Sequence, residues 1–211
     1  MAGQTSPTNS RNPARARWVA LGVLLALAAV LAGWWGGGGR ATVLRPRGST
    51  PTASVARLPR APDLEVSLYP GYRAAGSERV RLSVLWADRP VVVNFLAGLC
   101  PPCRAELPAF QRLYLARGGG ERFHLIGVDI GPFIGLGSQE DGRALLRELG
   151  VTFPAGTVAD AQAVRRYQIV GMPTTVFIAR GGRIWRRHTG LLTAGQMEEL
   201  LTGLLQASKG P

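Results

Sequence analysis

The stretch Val91-Val92-Val93-Asn94-Phe95-Leu96-Ala97-Gly98-Leu99-Cys100-Pro101-Pro102-Cys103-Arg104-Ala105-Glu106 decides how this chain folds. Its first half is a near-continuous apolar run, the pattern of a strand buried on both faces of a sheet. Its second half turns into a helix pattern at the only two cysteines of the chain. Two cysteines at this spacing, where a strand feeds a helix, form a reversible disulfide and present it to other molecules.

Cys100 falls at the expected N-cap of the helix. Unpaired backbone N–H groups and the helix dipole favour negative charge there, so its thiol should ionise more easily than a free one. Cys103, one turn on, should be more buried and act as the resolving thiol. Pro101 is tolerated at the first helical position because its missing N–H is an orphan anyway. The double proline also withholds two N–H groups from the Cys100 thiolate. A less stabilised thiolate means a more reducing couple. A static staple is a poor reason for so short a loop, because closing it gains little entropy. Two cysteines with the distant His124 and His188 are a poor metal-ligand set, so no metal is expected.

Outward from this core the signals alternate. Strands are expected over Leu64–Leu68, Arg79–Leu82, Val91–Ala97 and Phe123–Asp129. A hairpin is expected from Thr174–Ala179 and Arg183–His188 across Arg180-Gly181-Gly182. Helices are expected from Cys100 to Ala116, over Gln139–Leu149 with Gly150 at C′, from an Asp160 cap to Tyr167, and over Thr193–Gln206. Strands alternating with helices imply an α/β domain with a covered sheet. The segment Gly131–Gly137 is unusually apolar for a loop. It suits either a partner-contact surface or packing on the core.

The N-terminal third reads differently. Trp18 to Trp35 is an uncharged apolar run of 18 residues. As a helix it would span about 27 Å, just enough for a hydrocarbon core of about 30 Å. Arg11, Arg15 and Arg17 precede it, and Trp18 and Trp34-Trp35 sit where interfacial anchors belong. We expect an inside tail at 1–17 and a signal-anchor at 18–35, with a cleaved signal peptide ending near Ala32 as the alternative. A flexible Gly-, Pro-, Ser- and Thr-rich linker at 36–61 follows, then a folded domain at 62–211. The net charge is +12, but eight arginines and no acid lie before residue 63. The folded part carries only the remainder and no aromatic-basic face, which argues against nucleic acid as a partner.

With these residues in view, VVVNFLAGLCPPCRAELP followed by VGMPTTVFIARGGRI resembles the TlpA/ResA-like branch of the thioredoxin superfamily, over about residues 62–207. The resemblance implies a thioredoxin-like fold, a central mixed sheet flanked by helices, behind an N-terminal transmembrane helix. It implies a membrane-anchored, extracytoplasmic thiol-disulfide oxidoreductase with no cofactor beyond the Cys100–Cys103 pair. Implied partners are disulfide-bearing exported proteins, such as those of cytochrome c or copper-site assembly, and a membrane electron donor. Cys100 matches the attacking thiol and Cys103 the resolving one. Pro173 matches a proline that is cis in the superfamily, with Met172 and Thr174 flanking a substrate-binding edge.

Glu106 matches an acid that exchanges a proton with the second cysteine; its alternative role is a solvated helix glutamate. Asn94 stands where thioredoxin has a buried aspartate. The chain departs from the family at Leu96 and Leu99, where tryptophans are usual. Competing readings are a thiol peroxidase, which would want a threonine where Ala97 stands, and a non-enzymatic chaperone or metal-delivery adaptor.

Overall fold

Every residue of the central strand β3 (Val91–Leu96) is buried. Its neighbours explain why. The computed structural model describes residues 57–72 and 77–209, and within them the sheet has seven strands. Besides β3 these are β1 (Glu65–Leu68), β2 (Arg79–Arg81), β4 (His124–Asp129), β5 (Ala155–Thr157), β6 (Thr174–Ala179) and β7 (Arg183–Thr189), in the order β2-β1-β5-β4-β3-β6-β7. β3, β4 and β5 run parallel; the pairings of β6, β7, β1 and β2 are antiparallel. The expected membrane helix at 18–35 lies outside the described residues. Among the described residues no helix is long and apolar enough to cross a membrane.

Alternate β3 side chains serve two cores. Val92 and Leu96 join Leu107 and Phe110 of α2 (Pro101–Ala116), with Leu145 and Leu146 of α4 (Gln139–Glu148) and Leu201 and Leu204 of α6 (Ala194–Ala207). Val91, Val93 and Phe95 meet Leu82, Leu85 and Trp86 of α1 (Leu82–Asp88), together with Tyr167 just past α5 (Gln162–Arg166). Each such fully buried side chain stabilises by roughly 1.5–3 kcal/mol relative to exposure. The continuous apolar run is therefore the signature of a strand covered twice.

Local chemistry sets most boundaries. Ser138 caps α4 in a capping box with Asp141, and Thr193 caps α6 in one with Gln196. Gly150 follows α4 at φ +62°, as a C′ glycine should. Three expectations shift. The strand expected through Leu82 stops at Arg81, and α1 begins there. β5 is a strand where the sequence pattern predicts none. The helix expected from an Asp160 cap starts at Gln162, whose N–H Asp160 still binds at 2.7 Å.

The apolar segment Gly131–Gly137 opens with a short helix, α3 (Gly131–Ile134), and packs inward. Phe133 and Ile134 lie against one core and Leu136 against the other. Ahead of β1, the Pro59 carbonyl accepts from the Ile184 N–H at 2.8 Å, and Arg60 bridges Arg183 on the outer side of β7.

Candidate active site: a disulfide at a helix start above a buried glutamate

β3 ends at Leu96, and four residues later the chain enters α2 at Cys100. Cys100 holds extended backbone angles (φ −104°, ψ 103°) as the N-cap. It is bonded to Cys103 with Cα atoms 5.3 Å apart. Both cysteines are buried in the core that α2, α4 and α6 share. Pro101 and Pro102 have no N–H to offer. The first amide reaching the Cys100 sulfur is that of Cys103, at 3.2 Å.

Glu106 lies one turn beyond Cys103 on the same helix face. It is not a solvated helix residue: its exposure is 1%. Its Oε1 accepts from Asn94 Nδ2 at 2.8 Å, and its Oε2 from the Leu192 backbone N–H at 3.0 Å. Burial pushes its pKa up to about 7, against the opposing pull of those two donors. A carboxyl poised near neutrality can, at about pH 7, take a proton from a group within reach or give one to it. Asn94 gives its second hydrogen to Thr175 Oγ1 at 3.1 Å, which ties β3 to β6.

The Met172–Pro173 peptide is cis, as the resemblance implies. Met172 packs against the core that contains both cysteines. Thr174 Oγ1 donates to the Gly171 carbonyl at 2.7 Å, and the Pro173 carbonyl accepts from the Gly190 N–H at 2.8 Å. The loop Gly190–Leu192 thus touches the Pro173 segment at one end and Glu106 at the other.

The sequence that carries this cysteine pair, buried acid and cis-proline turn matches a known family along most of the domain. The family model described as AhpC/TSA covers residues 59–187. The chain belongs to the AhpC/TSA family.

Relatives within reach of this AhpC/TSA chain are named for disulfide chemistry. The thiol-disulfide oxidoreductase ResA of Halalkalibacterium halodurans is 32% identical over 114 residues, 53% of this chain and 60% of that protein. The chain therefore spans less than two thirds of that relative. A thiol:disulfide interchange protein DsbE homolog of Paracoccus denitrificans is 31% identical over 176 residues, 81% of this chain and 86% of that protein. Among solved structures, StoA from Bacillus subtilis aligns with a TM-score of 0.54 at 22% identity, over 68% of this chain and 99% of that one. That likeness concerns the fold, which is thioredoxin-like.

Two features of this family member carry little signal in the sequence. The first is a second buried acid. Asp129 ends β4 opposite Leu96 and is fully buried. It accepts from the Tyr69 hydroxyl at 2.7 Å and from the Gly131 N–H at 2.9 Å. Burial raises its pKa, with Asp141 adding to the rise and the two donors opposing it. A Cβ at Gly142 would lie 1.9 Å from Asp129 Oδ2, so α4 passes too close for any larger residue. This knot holds the start of the Gly131–Gly137 segment. That segment braces the cysteine loop through the Leu136 carbonyl, which accepts from the Leu99 N–H at 2.9 Å.

The second feature is a set of exposed apolar side chains. Leu99 is 61% exposed, Val170 88% and Leu191 41%. All three sit on the segments that carry Cys100, Pro173 and the Glu106-bound loop. Leu96, the other position where tryptophan is usual, is instead buried in the core.

Proposed function

We propose that the protein is a thiol-disulfide oxidoreductase that reduces disulfides of exported proteins, held outside the cytoplasm by its N-terminal segment. The observation that carries this reading is the Cys100–Cys103 pair set at the start of α2 above the buried Glu106. In the reduced protein the Cys100 thiolate attacks one sulfur of a partner disulfide, forming a mixed disulfide and releasing the partner's other sulfur as a thiolate. Cys103 then gives its proton to the Glu106 carboxylate and attacks the Cys100 sulfur. The Cys100–Cys103 bond closes and the second partner thiolate leaves. Two electrons pass to the partner, and a membrane dithiol donor returns them. Met172, the half-buried member of the Met172-Pro173-Thr174 turn, offers the edge against which the partner chain lies, with Pro173 and Thr174 buried behind it, and the exposed Leu99, Val170 and Leu191 favour partners with apolar residues beside their cysteine. The dithiol is the only redox group this scheme needs. Apocytochrome c or copper-site assembly proteins fit the partner class.

The reducing direction is supported by Pro101 and Pro102, which leave the Cys100 thiolate fewer donors. Equilibration with glutathione or a dithiol should give a potential near the thioredoxin end of the scale, about −270 mV. A value near −120 mV, where the reduced form is strongly stabilised, reverses the direction.

The anchor reading rests on the 18-residue apolar run and its flanking arginines and tryptophans. The full chain expressed in a bacterium should stay with membranes through alkaline carbonate washing, with its cysteines open to an impermeant thiol reagent from outside. Release into the soluble exported fraction at a mass lacking about the first 30 residues establishes a cleaved signal peptide instead.

A further inference from the structure

Both oxygens of the Glu106 carboxylate face donors, Asn94 Nδ2 on one side and the Leu192 N–H on the other. That arrangement suits a carboxylate. It does not suit a carboxylic acid, which carries a donor of its own and needs an acceptor. Yet burial brings the group to its midpoint near neutral pH, so both forms must be housed. The Leu192 amide belongs to the backbone and has no acceptor to turn toward Oε2. Asn94 has one: its Oδ1 is buried and accepts no hydrogen bond. The oxygen and the NH2 of an amide are nearly the same size, and a half-turn about the Cβ–Cγ bond exchanges them. Thr175 Oγ1, which receives Asn94's second hydrogen, is a hydroxyl and donates as readily as it accepts.

We propose that Asn94 is a positioning residue that serves both protonation states of Glu106 by turning its amide over. With the carboxylate, Nδ2 gives its hydrogens to Glu106 Oε1 and Thr175 Oγ1. With the neutral acid, Oδ1 takes their place and accepts from the Glu106 O–H and the Thr175 hydroxyl. An ionised aspartate at this position could not support the ionised Glu106, because it has no hydrogen to give and adds a like charge.

No charged side chain from β3, β6 or the Gly190–Leu192 loop faces Glu106 among the described residues. On α2 itself Arg104 pairs with Glu148 at the surface, and Cys103 lies one turn back. The amide turn stands on its own. Its use in passing a proton to and from Cys103 rests on the thiol-disulfide reading above.

The test uses the full-length oxidised protein, labelled with 13C and 15N, in detergent between about pH 4.5 and 9. The Glu106 carboxyl carbon reports its titration. Nuclear Overhauser contacts from the Asn94 NH2 hydrogens report which way the amide points. The expected result is that contacts to Thr175 at high pH vanish at low pH, with the same midpoint as Glu106. Contacts that stay constant while Glu106 titrates overturn the proposal, and so does a Glu106 that stays ionised throughout.

Disulfide-reduction rates over the same pH range supply the functional arm. In Asn94→Leu and Asn94→Asp the break in the profile should move up by about one pH unit or more, because the ionised acid loses its donor. A break that does not move overturns the role of Asn94 in the reaction. A wild-type protein that reduces no disulfide at any pH refutes the thiol-disulfide reading, and the spectra still judge the amide turn.

Discussion

Cys103→Ser should convert the protein into a trap, in which each molecule takes up one partner through Cys100 and does not let go. Cys100 is the N-cap sulfur, and the N–H nearest to it belongs to residue 103. A serine there keeps the backbone donor and removes only the nucleophile. Attack on the partner therefore proceeds, resolution does not, and turnover stops after one equivalent. Non-reducing electrophoresis of cells or of purified protein with a model disulfide should show the mixed species accumulating and collapsing on addition of a dithiol. Cys100→Ser should give none, because Cys103 is fully buried. Equal trapping by both variants, or by neither, rules out the assignment of attacking and resolving roles.

Glu106→Gln should pull stability and rate in opposite directions. The folded-state pKa of Glu106 is raised from 4.5 to about 7, chiefly by burial. For an acid whose pKa is raised by folding, the stability contribution is fully present below the unfolded value and is lost as pH rises through the folded one. The wild type should thus lose stability between about pH 4.5 and 7. The loss is about 3 kcal/mol, since each tenfold change in proton affinity is worth about 1.4 kcal/mol. Glutamine carries no charge to desolvate, so the variant should be more stable at pH 8 by up to that amount and equal to the wild type at pH 4. Denaturant unfolding at the two pH values measures it.

Resolution should slow on the order of 10²-fold near pH 7, the lower end of what a positioned proton acceptor contributes. A variant that is less stable at pH 8 than the wild type contradicts the buried-acid account. An unchanged resolution rate separates Glu106 from the chemistry.

The parts of the fold that sequence reveals are those whose side chains bear the cause. β3 announces itself because both of its faces need apolar residues. The cap of α6 is visible in Thr193 because a hydroxyl does the capping. Where the cause lies elsewhere the sequence is mute. α1 is seven residues long and follows Arg81, which caps it with no side-chain hydrogen bond, so Leu82 looks like the tail of a strand. β5 is Ala-Gly-Thr, poor strand material by propensity. Gly156 is there because a Cβ would lie 2.1 Å from the Ser67 carbonyl oxygen of the neighbouring strand.

The site divides the same way. Cys100, Cys103, Glu106 and Pro173 are residue types that carry chemistry, and they stand out. The contribution of Leu192 is its backbone N–H, which any residue but proline supplies, so nothing in its side chain points to it. Asp129 closes a strand that is apolar from Leu125 to Val128, and that lone charge is the available hint.

The two margins of the sheet have a consequence for how this molecule meets others. β2 is three residues long and carries Arg79 and Arg81 at its two ends. β7 carries Arg183, Arg186 and Arg187, and its first residues are already occupied by Pro59 and Arg60 of the incoming chain. Short, cationic or occupied margins resist the docking of a foreign strand. On the proposed function, a disulfide-bearing client with an exposed strand would otherwise risk being zipped onto the sheet. Here the flanks are blunted against that kind of adhesion, and the proposed function would then leave the cysteine end as the place where a client is held and released.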